Sequence, residues 1–169
     1  MTYLHQPAES HPVRCAFAAA TDSTFDGRNT KRKAMQRKTI DDVQSSWKMV
    51  EGIAPQAAAL FYANLFEADP ALKPLFKGDM TQQGQKLMQM IGAAVGKLDA
   101  LDTLLPVLQT LARRHVGYGV KDAHYDTVGG ALLKTLGQGL GPAFTPQVSA
   151  AWSEVYGVMA GVMTKAASA

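Results

Sequence analysis

A single cysteine, Cys15, stands in the whole chain, so no internal disulfide can form and a reducing compartment is implied. Long apolar runs are missing as well. None approaches the roughly 18 residues that a membrane-spanning helix needs. The stretch Cys15-Ala16-Phe17-Ala18-Ala19-Ala20 is too short for the apolar core of a secretory signal. These absences predict a cytoplasmic protein with no membrane span. Strand-like alternation of apolar and polar residues is absent throughout, and no internal repeat occurs, which leaves an all-α class. Apolar residues themselves are plentiful. At 47% hydrophobic and 18% charged, the chain has the composition of a folded domain rather than a disordered one.

A basic surface on the body of the protein is lacking too. Residues 1–38 contain seven basic and three acidic residues, leaving ten basic and eleven acidic of the 17 and 14 overall for residues 39–169. The pI of about 9.0 therefore belongs to the leader, and the body offers no basic face for nucleic acid. Residues 1–38 show no sustained period and read as a disordered basic leader. Its cluster from Arg28 to Lys38 fits a solvated tail, or a weak tether to an anionic surface. Met35 offers an alternative start, which would make residues 1–34 an artefact of start-site assignment. Residues 39–169 suffice for one domain with a sizeable core.

What is there is helical, with clear punctuation. Thr39 followed by Asp42 predicts a capping-box-like start, and Val43, Trp47 and Val50 recur at helical spacing up to Ile53. Pro55 suits a first turn, with Leu60, Phe61, Leu65 and Phe66 behind it. Asp69-Pro70 caps a short turn ending near Phe76; Lys77-Gly78-Asp79 breaks the chain, and Thr81 opens a segment to about Leu98. Asp102 is read as the next cap, with Pro106 near the first turn and an end at Gly117 and Gly119. Asp122 opens a helix through Leu136, stopped by Gly137, Gly139, Gly141 and Pro142, and Thr145-Pro146 starts the last one, to about Thr164. The prediction is six longer helices and one short one.

Of the histidines, His5 and His11 fall in the leader, and His124 falls at a helix start, partly exposed on the pattern. His115 continues the stripe Leu101, Leu104, Leu108, Leu111, which turns its ring toward the same apolar interior. An imidazole there either finds a hydrogen-bond partner, as core histidines do, or holds a metal. No Cys, Asp, Glu or second His stands nearby to complete a zinc site. A lone axial imidazole suits haem iron better, because the porphyrin brings four ligands of its own. Tyr62, flanked by Phe61 and Phe66, and Gln83, four residues before Leu87 and seven before Met90, also read as inward-facing. A buried phenol and a buried amide each need a partner, either backbone groups or one shared polar ligand.

Taken in order, these motifs are recognisable. Leu60-Phe61-Tyr62-Ala63-Asn64-Leu65-Phe66, Pro70, Leu75-Phe76, and Gln83 with Leu87-Met88 resemble the distal half of bacterial globins. Leu111-Ala112-Arg113-Arg114-His115 through Tyr118-Gly119-Val120 and His124-Tyr125 resembles the proximal half, and Ala151-Trp152 with Val155-Tyr156-Gly157 the last helix. The likeness spans about 39–165 and is nearest to single-domain bacterial globins and the globin part of flavohaemoglobins, more distantly neuroglobin.

The resemblance implies a globin fold of six to seven helices around haem b, with His115 as the proximal iron ligand. It makes Phe76 the ring on the porphyrin face, Tyr62 and Gln83 the distal polar pair, and Leu87 the distal wall. Leu111, Val120 and Tyr125 would line the proximal side, and Lys86 and Arg114 are candidates for the propionates by charge and placement. Glutamine is a poor iron ligand, so the sixth position stays open to a gas. Two departures qualify the likeness. Flavohaemoglobins continue into flavin and nicotinamide domains, whereas this sequence ends at Ala169. Where they carry a glutamate joined through a tyrosine to the proximal histidine, this chain has Ala167, which argues against peroxidase-like activation of oxygen. The expected function is reversible dioxygen binding for carriage, storage or buffering. The alternatives are nitric oxide dioxygenation with a separate electron-donating reductase; gas sensing, which usually requires an attached output module; and a haem-free helical domain. Oligomeric state is left open.

Overall fold

The computed structural model describes residues 35–169, so the readings of residues 1–34 as leader lie outside the described residues. Six α-helices follow one another: α1 (Arg37–Glu51), α2 (Ala54–Ala68), α3 (Met80–Gly96), α4 (Leu101–Gly117), α5 (Asp122–Leu140) and α6 (Pro146–Ala167). Short 3-10 turns at Pro70–Leu75, Leu98–Ala100 and Gly141–Ala143 join them. There is no strand among the described residues.

Several boundaries follow from side chains that satisfy the free N–H groups of a helix start. Asp69 accepts from the Ala71 amide, Asp79 from the Thr81 amide and Thr145 from the Val148 amide. Pro55 and Pro146 sit in first turns, where no N–H is needed. Three expectations fail. Helix α1 starts two residues before Thr39, whose hydroxyl reaches Glu154 instead of capping. Asp42 is drawn to Lys38 at 3.1 Å and to the Gln147 amide at 2.7 Å. Helix α4 starts at Leu101, so Asp102 lies inside its first turn and Pro106 falls in the second. Helix α5 runs through Gly137 and Gly139 to Leu140. Those two glycines are points of close approach: a Cβ would stand 3.4 Å from Phe144 at the first and 3.2 Å from Ile53 at the second. The true stop is Gly141, at φ +53°.

Helix α1 buries Ile40, Val43, Trp47 and Val50 on one face, against α6 and α3. The Trp47 and Trp152 rings meet with centroids 6.0 Å apart, and the Trp152 indole N–H donates to Ser46 Oγ at 2.8 Å. Helix α2 packs on both α3 and α5, and α4 packs on α6. Consecutive helices α3 and α4 have little contact with each other, Ala94 of α3 meeting the cluster that α4 builds. The apolar interior divides accordingly. A larger cluster joins α1, α2, α3, α5 and α6; a smaller one holds Ala94 of α3 with Leu104, Leu108, Ala112, Tyr125 and Met163, and Leu101 and Met159 touch both.

Candidate functional site

Helix α2 places Tyr62 in the larger cluster, 8% exposed. Its ring lies 5.3 Å from Phe61, 5.9 Å from Phe66 and 5.3 Å from Phe76, two of these edge-on. Phe76 reaches this group because the Pro70–Leu75 turn folds the chain back over the end of α2. Burial raises the pKa of the Tyr62 phenol, so its proton stays on through the neutral range. The hydroxyl meets the backbone oxygen of Gln83 at 3.4 Å, the outer limit for such a bond. The phenol therefore remains free to serve a better acceptor.

The Gln83 amide, half-buried, makes no hydrogen bond among the described residues. Helix α3 buries Gly84, Met88 and Val95 against its neighbours, and a Cβ on Gly84 would stand only 2.9 Å from Ala58. Gln83, Leu87 and Met90 lie on another face of the same helix. Leu87 still packs on the large cluster, but Met90 is 44% exposed, contrary to its reading as inward-facing.

Helix α4 carries His115 in its last turn, half-buried, on the side that also holds Leu104, Leu108 and Leu111. Nδ1 lies 2.8 Å from the Leu111 carbonyl oxygen. Since that oxygen can only accept, Nδ1 carries the proton and Nε2 keeps its lone pair. No hydrogen bond is made to Nε2 among the described residues. The corner beyond is tied to the same residue: the Val120 amide donates to the His115 carbonyl at 3.1 Å. Gly119, at φ +83°, permits the turn, and Leu75 lies 3.9 Å from where its Cβ would be. The Phe76 corner and the His115 corner are thereby neighbours.

Tyr125 belongs to the smaller cluster, and Leu111 and Val120 pack against it. Lys86 and Arg114 are exposed and form no ion pair among the described residues. No group of three or more His, Cys, Asp or Glu able to hold a metal ion occurs there either. No helix is long and apolar enough to cross a membrane.

Three arrangements were not anticipated. His124 is a cap: its Nδ1 accepts from the Lys121 amide at 3.0 Å. Tyr156 donates to the Tyr125 carbonyl at 2.5 Å, and its burial drives its pKa far up. That contact needs Gly129, where a Cβ would stand 2.6 Å from the Tyr156 ring. A glycine inside a helical stretch, facing an aromatic on α6, was the only available signal. Asn64, read only as part of a motif, donates to Thr135 and Gln138 in a buried polar cluster between α2 and α5.

A globin family model matches residues 59–163. The chain belongs to the globin family. This globin is 32% identical over 131 residues to a flavohemoprotein of Rhodopirellula baltica, covering 76% of this chain and 32% of that protein. A flavohemoprotein of Bacillus subtilis is 30% identical, covering 75% and 32%. The globin spans about a third of the length of these curated relatives. Among solved structures, a bacterial globin from Campylobacter jejuni superposes with a TM-score of 0.69 at 25% identity, covering 79% of this chain and 96% of that one. Two more share the fold at 24% identity and 79% coverage of this chain. One is an engineered carbene transferase from a Rhodothermus marinus protein described as a nitric oxide dioxygenase, with TM-score 0.72 and 94% of that chain covered. The other is a flavohemoglobin of Malassezia yamatoensis with bound FAD and heme, with TM-score 0.68 and 37% covered. The all-α globin architecture expected from the sequence is borne out, and membership of the family implies haem binding.

Proposed function

We propose that this globin binds haem b and holds dioxygen reversibly, with His115 as the iron ligand and Tyr62 and Gln83 as donors to the gas. The observation that carries the reading is the His115 ring, whose Nδ1 is committed to the Leu111 carbonyl while Nε2 has no partner among the described residues. One free imidazole nitrogen without further clustered metal ligands fits a metal that arrives inside a macrocycle. The apolar, partly buried Leu87 and Leu111, on helices α3 and α4 that have little contact with each other, fit a flat apolar group as well. Bound haem supplies an iron with a position for a diatomic gas.

The remaining tasks fall to the protein. The Leu111 carbonyl holds the imidazole in one tautomer and one rotation. Phe76, braced by Tyr62 and Phe66, offers a ring to the macrocycle, Leu87 walls the gas side, and Leu111, Val120 and Tyr125 wall the other. Lys86 and Arg114, both exposed, would meet the propionates by their charge. Tyr62, protonated through the neutral range, donates to a gas that carries partial negative charge, with Gln83 as second donor. A hydrogen bond to a charged group contributes about 1.5–3 kcal/mol, which slows release by about ten- to a hundredfold. The test is an optical titration of the purified protein with haem, dithionite and oxygen. One haem per chain, a five-coordinate ferrous form and a reversible oxygen spectrum are expected. Failure to take up haem, or sharp low-spin ferrous bands without gas, would overturn the reading.

The flavohemoprotein relatives and the Rhodothermus marinus structure favour a second reading, nitric oxide dioxygenation with a separate electron donor. Sustained nitric oxide consumption with an added ferredoxin or flavodoxin reductase would support it, and consumption that stops after one equivalent would reject it.

A further inference from the structure

Between α2 and α5 lies a depression of about 420 Å³ lined by α2 residues Asn64, Glu67 and Ala68 and α5 residues that include Asp126, Gly130 and Lys134. Asn64 is 6% exposed, and its orientation follows from its neighbours. Thr135 gives its hydroxyl proton to the Ala131 carbonyl at 2.7 Å, so its oxygen must accept from Asn64, at 3.0 Å. The atom of Asn64 on that side is thus the NH₂, which also donates to Gln138 Oε1 at 2.8 Å. No donor among the described residues reaches the opposite atom, Oδ1. Since no fully buried side-chain polar atom lacks a partner there, Oδ1 is not fully buried, and Asn64 is one of the residues that line the depression.

The charges around it are complementary to a cation. Glu67 is neutralised by Lys134 at 2.7 Å, whereas the Asp126 carboxylate has no ion pair among the described residues. Space is not limiting, because a Cβ on Gly130 would meet nothing within 4 Å. What this wall presents is acceptors: one carboxylate and one oriented amide oxygen. We infer that the groove between α2 and α5 is a binding site for a guanidinium group, paired with Asp126 and donating to Asn64 Oδ1. A planar guanidinium can place two N–H groups on a carboxylate and keep others for a neutral acceptor, which a compact ammonium does less well. The group comes either on a small free solute or on an arginine of a partner protein, and the proposal is independent of haem.

The test is a ¹⁵N NMR titration of the full chain with agmatine and, separately, with a Gly-Arg-Gly peptide, at constant ionic strength. Saturable shifts at the Asn64 side-chain amide and at Thr127 and Gly130 are expected with one or both. Tighter binding of the peptide identifies a protein arginine as the source, and tighter binding of agmatine a free solute. Asp126→Asn should weaken binding at least tenfold, and Gly130→Leu, which fills open space, should abolish it while leaving the rest of the spectrum intact. Absence of saturation up to tens of millimolar with both probes would overturn the proposal. So would equal shifts with tetramethylammonium, which has no N–H, or unchanged affinity in both variants.

Discussion

Tyr62 is surrounded by rings from α2 and the turn that follows it, whereas His115 is held by main-chain oxygen on its own helix. The α2–α3 side belongs to the large cluster that runs through most of the protein; the α4 side belongs to a small cluster anchored on α6. The contrast separates two jobs. A donor that must wait for a ligand is best fixed by packing, because packing leaves its hydroxyl uncommitted. A ligand that must present one nitrogen is best fixed by a hydrogen bond at the other, because that bond selects the tautomer. Substitutions on the two sides should therefore separate stability from gas binding.

The largest stability effect is expected between α5 and α6. Gly129→Ala drives a methyl into the Tyr156 ring and should cost about 1–3 kcal/mol, read as a lower melting temperature by circular dichroism. An unchanged melting temperature would mean that α5 and α6 yield there at no cost. On the Tyr62 side, Tyr62→Phe keeps the ring packing and should leave stability nearly unchanged while oxygen dissociates at least tenfold faster in stopped flow. An unaltered rate would show that the phenol does not reach the gas. Gln83→Leu should speed release less than Tyr62→Phe does, and a larger effect would reverse the order of the two donors. The smallest effect lies at the Lys134–Glu67 ion pair on the surface. Lys134 holds the Glu67 carboxyl below its ordinary value of 4.5, so the pair's contribution is complete above that pH and fades as pH falls through the lowered value. Lys134→Met should remove this acid-side dependence, slightly, with no change in gas binding. The pair is solvent-exposed, so added salt should mask it.

How legible this was in the sequence differs along the chain. Helices α1 to α6 were readable because apolar spacing and Asp69, Asp79 and Thr145 act within a single turn. His115 stood out because it ends a leucine stripe, and the structure keeps it on that stripe. Gly137 and Gly139 were misread as stops because a glycine that admits a neighbour and one that ends a helix look alike until the neighbour is known. Thr39 and Asp102 were misread as caps for a similar reason. Each is a good capping residue, but Thr39 is drawn to Glu154 across 115 residues, and α4 begins one residue before Asp102. The Tyr156–Gly129 contact and the Asn64–Thr135 bond also join residues far apart or on different helices, beyond any local pattern.

The central claim is that His115 Nε2 is the one protein ligand of a haem iron. It is tested most directly by haem titration of His115→Gly with and without added imidazole, followed by the Soret band. Loss of the native band in the variant and its return with imidazole are predicted. A variant that takes up haem with an unaltered band and the same oxygen titration, without imidazole, would contradict the account.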